Sequence, residues 1–248
     1  MSLISDRVSE ALVRAAGHHD AAIHRSASEI AARDSRPFAV AISRETGTRG
    51  PAVARAVAGR LGWQVYDHEL LELVARELHV GVELLENVDE HHITWLQECV
   101  EAFAAVPAVR EQKYVRRMIE VMLTLAARGR CVIVGRGSPF VLPPATTLRV
   151  RLSAPREDRI TVIADELKLS RYDAARHVDR TDRERKQFVR LHFLHDPADP
   201  HHYDLSVNTS QFAVDDCASL IVDALYQKSC SAVKSETRVP LSALPAMA

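Results

Sequence analysis

Eight consecutive residues, Ser43-Arg44-Glu45-Thr46-Gly47-Thr48-Arg49-Gly50, put hydroxyls, glycines and guanidiniums into one short stretch. An apolar run, Phe38-Ala39-Val40-Ala41-Ile42, precedes it, and a helical pattern with Val53, Val57 and Leu61 on one face begins at Pro51. Strand, glycine-bearing turn and helix is the layout of a phosphate-binding loop. Free N–H groups in the turn and at the helix start converge on one spot, and the helix dipole favours an anion there. Proline suits the first helical position, where its missing N–H costs little. Ser43, Thr46, Gly47, Thr48, Arg49 and Gly50 are therefore the expected phosphate-binding set. Laid on G-x-x-x-x-G-K-[ST], the loop departs from the pattern: Arg49 stands at the second glycine and Gly50 at the lysine. Arg49 either replaces the lysine's charge or is a solvated side chain pointing outward. The hydroxyls either meet phosphate or Mg²⁺, or satisfy the backbone of their own turn. Arg44 and Glu45 are an alternative ion pair within the crevice.

Three further sets could act with the loop. Arg136 stands between Gly135 and Gly137 directly after the apolar run Cys131-Val132-Ile133-Val134. Glycines let a backbone approach a ligand closely, and a guanidinium at a strand end suits a bidentate phosphate contact. Its alternative is a salt bridge. Asp67 either orients an acceptor or holds Mg²⁺ through water, or it caps the helix that follows. Arg176, Arg180 and Arg183 share one helical face, which could close over transferring charge or could be an ion-paired solvent face with Asp179, Asp182 and Glu184. His192 and His195 form H-x-x-H before Asp196, with no third metal ligand evident.

The elements that position these residues alternate. Strands are expected at Phe38–Ile42, Trp63–Tyr66, Cys131–Val134, Thr147–Leu152 and Tyr203–Val207. Helices are expected from Pro51 to Gly62, from Asp67 to about Leu78, and over much of 87–129. Others follow from Pro155, with Ile160, Ile163 and Leu167 inward, from a capping box at Ser170 and Asp173, and from Val214 to Tyr226. Strand–helix alternation implies a parallel sheet with helices on both faces. Ligands in such sheets sit at the carboxyl ends of strands, so the turns at Ser43–Gly50, Asp67 and Gly135–Gly137 face one crevice. Residues 1–34 read as a helical extension and 229–248 as a disordered tail.

The chain of 248 residues carries a net charge of −1 and only 5% aromatic residues, which argues against a nucleic-acid partner. No apolar run is long enough to span a membrane. The four cysteines show no C-x-x-C spacing and read as reduced thiols of a cytoplasmic protein. The oligomeric state is not legible.

Four motifs occur in order: I-S-R-E-x-G at 42–47, x-Y-D at 65–67, C-V-I-V-G-R-G at 131–137 and Y-D-L-S-V-N-T-S at 203–210. Together they resemble the cytidylate-kinase-like family, a branch of the P-loop nucleoside monophosphate kinases, over residues 38 to 226. The resemblance implies an α/β fold with a five-stranded parallel sheet, helices on both faces, a helical acceptor-binding insert (87–129) and an arginine-bearing lid (168–200), all within a domain at 35–228. It also implies ATP-dependent phosphoryl transfer, with Mg²⁺, to a nucleoside monophosphate such as CMP or a related small phosphoacceptor. Backbone amides from Gly47 to Gly50 would cradle ATP, Arg49 would add charge, and Arg180 and Arg183 would close over the reaction. Arg136 matches the arginine that holds the acceptor phosphate, and Asp204 resembles an acceptor-binding aspartate. Gly135 and Gly137 stand where true monophosphate kinases carry acidic residues. The alternative function is a nucleotide-binding sensor or interaction protein that kept the fold and lost the chemistry.

Overall fold

The computed structural model describes residues 38–67, 71 and 113–236. Expectations for 1–34, the helix after Asp67, most of the 87–129 insert and the end of the tail lie outside the described residues. Five strands form one sheet: β1 Ala39–Arg44, β2 Gln64–Tyr66, β3 Cys131–Val134, β4 Thr147–Ser153 and β5 Leu205–Asn208, in the order β2-β3-β1-β4-β5. Every pairing is parallel. The helices are α1 Gly50–Leu61, α2 Lys113–Arg128, α3 Ser138–Val141, α4 Arg156–Leu167, α5 Arg171–Phe193 and α6 Val214–Glu236, with a 3-10 turn at Pro200–His202.

The period-2 alternation of the central strands sorts the core into two faces. Val40, Ile42, Val132, Val134, Leu148 and Val150 pack with Val53 and Val57 of α1 and Cys217 and Ile221 of α6. Ala39, Ala41, Cys131 and Ile133 point the other way, onto α2 and onto Val189 and Phe193 of α5. Strands buried on both faces read as continuous apolar runs, which is why β1 and β3 were recognisable. In α2 the expected stripe of Val115, Ile119, Met122 and Ala126 is buried, and so are Met118, Val121, Leu123 and Leu125 between them. A smaller cluster of Ile160, Ile163, Ala174 and Val178 joins α4 to α5.

Several boundaries differ from expectation. Leu167, expected inward, is 48% exposed at the end of α4, because Lys168 turns left-handed there and closes the helix. The fifth strand begins at Leu205 because the turn at Pro200–His202 precedes it. The short helix α3 was not anticipated, and α6 runs to Glu236 rather than ending at Tyr226. The Ser170 cap is present: its hydroxyl accepts the Asp173 N–H at 3.1 Å and lies 2.6 Å from the Asp173 carboxylate. No helix among the described residues is long and apolar enough to cross a membrane.

Ile221 is fully buried between α6 and the sheet. Truncating such a side chain costs its transfer energy plus a cavity, so Ile221→Ala is expected to lower unfolding free energy by about 2–5 kcal/mol. Urea denaturation measures this, and a loss below about 1 kcal/mol would mean that α6 does not seal this face.

Candidate functional site

The hydrogen-bonded ladder places Ser43 beside Arg151 and Ile42 beside Val134, so the turns after β1 and β3 and the end of β4 meet at the carboxyl edge of the sheet. A cavity of about 580 Å³ opens there. Its walls come from Ser43, Arg44 and Glu45, from Gly135–Gly137, from Arg151, and from one face of α5 that includes Asp182, Glu184 and Arg185. Phe140, Phe188 and Val189 form its apolar side.

Arg44 crosses from one turn to the other. A Cβ on Gly50 would lie 2.8 Å from its Cγ, and a Cβ on Gly135 would fall onto its guanidinium. Gly135 also holds φ +81°, which L side chains rarely adopt. These two glycines leave room for Arg44.

The loop itself is filled by protein groups. The Thr46 N–H donates to Asp182 Oδ1 at 2.8 Å, the Thr46 carbonyl accepts from Arg159 at 3.2 Å, and Arg185 donates to the Thr46 hydroxyl at 3.0 Å. Arg159 also donates to Asp182 Oδ2 and, at 3.0 Å, to the Ala154 carbonyl. Glu45 pairs with Arg151 at 2.9 Å and Arg159 at 3.4 Å rather than with Arg44. The Thr48 hydroxyl donates to the Glu45 carbonyl at 2.8 Å, the local bond that threonines in turns favour. A Cβ on Gly47 would come within 2.5 Å of the Arg159 carbonyl, so α4 packs directly on the loop. Arg49 sits at φ 52° ahead of α1, exposed and outside the cavity walls.

Of the expected site residues, Ser43 and Arg136 reach the cavity. The Arg136 guanidinium lies 5.4 Å from the centre of the Phe188 ring, a cation–π distance. Asp67 is exposed at the end of β2, its carbonyl accepts the Leu71 N–H at 2.9 Å, and its charge is felt at Arg44. Arg180 and Arg183 are exposed and do not line the cavity, while Arg176 lies over Tyr172. Asp204 is not brought to the crevice. It sits ahead of β5, bonded to the Arg149 N–H and guanidinium and to Lys228, whose ammonium also caps the Thr147 carbonyl at the start of β4. His192 is buried against Phe188, and His195 stacks on Phe140. Among the described residues no group of three His, Cys, Asp or Glu could hold a metal ion.

Arg44, Glu45, Arg159, Asp182 and Arg185 were not anticipated as site residues. A signal for two of them existed. Val178 and Val189 are inward anchors of α5, and Asp182 and Arg185 fall between them at helical steps of four, three and four. Charge dominates this cavity. Burial pushes the Arg44 guanidinium down to about 10, Arg185 and Arg136 push further, and Asp67 opposes them. Burial likewise lowers Arg185, with Arg136 adding to it and Asp182 and Glu184 opposing. A cavity with guanidiniums under mutual repulsion can bind an anion and position it.

A family model described as the cytidylate kinase-like family matches residues 39–211. The crystal structure of an uncharacterised protein from Eubacterium ventriosum ATCC 27560 is similar at TM-score 0.63 and 19% identity, over 77% of this chain and 99% of that one, which supports the fold. The crystal structure of TT1252 from Thermus thermophilus aligns at TM-score 0.39 and 17% identity, over 82% of this chain and 98% of that one. A comparison with curated proteins finds no match.

Asp182→Ala removes the acceptor of the Thr46 N–H and a partner of the buried Arg159 guanidinium. A loss of about 1–3 kcal/mol in stability is expected, with Asp182→Asn costing less because one amide bond survives. Chemical denaturation separates the two, and an alanine variant as stable as the parent would show that α5 does not hold the loop.

Proposed function

The chain belongs to the cytidylate kinase-like family, and from that premise we propose that it is an ATP-dependent phosphotransferase acting on a nucleoside monophosphate such as CMP, or on a related small phosphoacceptor. The observation that carries this reading is the cavity at the carboxyl ends of β1, β3 and β4, with Arg136 in its wall. That is where open parallel sheets bind ligands. Phosphoryl transfer needs little from the protein beyond positioning and positive charge, and this cavity offers both. In this reading Arg136 grips the acceptor phosphate while its backbone is fixed by a strand buried on both faces.

The nucleotide's phosphates would lie against the cavity side of the turn that begins at Ser43, from which Arg49 is excluded. Its fit is partial. Ser43 faces the cavity, but the Thr46 amide is held by Asp182, so nucleotide must replace that carboxylate to use it. The charge expected of Arg180 and Arg183 is better supplied by Arg185, which already reaches the loop. Mg²⁺ would arrive on the nucleotide and neutralise its phosphates, with the Ser43 hydroxyl and the Glu184 carboxylate among the oxygen donors of the cavity wall. One observation favours a second reading, a nucleotide-binding sensor: the loop lacks a lysine and its amide is satisfied from within.

The test pairs titration calorimetry with a coupled turnover assay, using CMP, dCMP, AMP and UMP with Mg-ATP, on the parent and on Arg136→Ala. The parent is expected to turn over. The variant should lose at least about tenfold in monophosphate affinity, the worth of a charge-assisted hydrogen bond, and lose rate with it, while ATP affinity changes little. Undiminished turnover in the variant removes Arg136 from the site. Monophosphate binding without turnover in the parent selects the sensor.

A further inference from the structure

We propose that Arg44 is a phosphate-binding residue, and that it forms with Arg136 and Arg185 a three-guanidinium seat for one phosphate dianion. On the phosphotransferase reading this seat is that of the acceptor phosphate, which Arg136 alone would otherwise grip. The inference rests on the phosphotransferase reading only for the chemistry that follows binding, since the seat is argued from this chain's own geometry.

Arg44 is held where it is by construction. Gly50 and Gly135 lie far apart in sequence, and each lacks a side chain where the Arg44 stem or guanidinium passes. A side chain accommodated by two separate glycines is not a casual rotamer. The structure places its guanidinium in the same cavity wall as Arg136 and Arg185. No carboxylate among the described residues forms an ion pair with Arg44 or with Arg185, and the buried Nε of Arg44 has no hydrogen-bond partner. An unpaired charge in such a place costs stability unless a ligand of opposite sign joins it. Burial lowers the proton affinity of Arg44 and Arg185, and repulsion from neighbouring guanidiniums, Arg185 and Arg136 at Arg44 and Arg136 at Arg185, adds to it in the same direction.

The charge balance names the ligand class. Among the described residues that line the cavity, Lys186 is matched by Asp196, and Glu45 and Asp182 are matched by Arg151 and Arg159, which leaves the two guanidiniums of Arg44 and Arg185 without an ion pair. A phosphate or phosphate monoester above neutral pH carries about two negative charges. Planar guanidiniums match its oxygens in a fork geometry that an ammonium lacks. Arg49, the cation suggested by position in the loop, is exposed and outside the cavity.

The probes are inorganic phosphate and pyrophosphate, titrated calorimetrically at mildly alkaline pH and constant ionic strength, with melting temperatures measured in parallel without ligand. The proteins are the full chain, Arg44→Met, Arg44→Lys and Arg49→Met. Arg44→Met is expected to melt higher than the parent, because repulsion is relieved, and to lose at least about tenfold in pyrophosphate affinity. Arg49→Met is expected to bind as the parent does. If Arg44→Met does not fold, Arg44→Lys decides: loss of the fork should weaken pyrophosphate by at least about threefold. Affinity within about twofold of the parent in whichever variant decides overturns the proposal, since Arg44 would then be only a strut. A parent that binds neither anion overturns it as well. Arg44-dependent anion binding in a chain without turnover leaves this inference standing and removes the phosphotransferase reading. Turnover with Arg44-independent anion binding does the reverse.

Discussion

A guanidinium as buried as that of Arg159, only 9% exposed, must find acceptors for its N–H groups or destabilise the fold. It finds them on three separate elements: the Ala154 carbonyl before α4, the Thr46 carbonyl and Glu45 carboxylate after β1, and Asp182 on α5. The loop after β1, the start of α4 and the middle of α5 are thereby one unit. How the loop sits against α5, and how much of it is open to solvent, follow from this requirement. The outward-facing ion pairs of the first turn of α4, such as Arg171 with Glu157, are solvent-exposed and constrain far less.

This requirement sets two kinds of charge side by side in one crevice. Arg151 and Arg159 are matched by Glu45 and Asp182 and serve the fold. Arg44 and Arg185 are not matched by ion pairs, yet they are held as firmly, by glycine clearance in one case and by the Thr46 hydroxyl in the other. Low local dielectric sharpens the contrast, because an unmatched charge there interacts strongly with whatever anion comes near.

The sheet was legible because its physics is local. Cys131–Val134 is apolar at every position, as burial on both faces demands, and Gly62 and the Ser170–Asp173 pair mark helix ends through bonds within their own turns. The site was less legible because its bonds are long-range. Thr46 and Asp182 are 136 residues apart, and nothing beside either one announces the other. Position within a loop motif favoured Arg49, but the left-handed turn at Arg49 carries it out of the crevice, while Arg44, the last residue of β1, is carried in. In α5 the arginine spacing drew the eye to Arg180 and Arg183, whereas the sparse apolar anchors Val178 and Val189 decide which face is buried. Asp204 was suggested by likeness alone, and its bonds to Arg149 and Lys228 tie the foot of β5 to α6 instead.

The clearance around Arg44 has an evolutionary consequence. Gly50 heads α1, where the helix itself does not require a glycine, yet a Cβ there would meet the Arg44 stem at 2.8 Å. The glycine is therefore kept for as long as Arg44 is kept. A lineage that exchanged Arg44 for a small residue would remove the barrier at Gly50 and relax the steric bar at Gly135 at the same time. Drift at Arg44 and Gly50 is order-dependent: the arginine must change first, and once Gly50 has filled in, the way back is sterically closed, while Gly135 stays held by its φ of +81°.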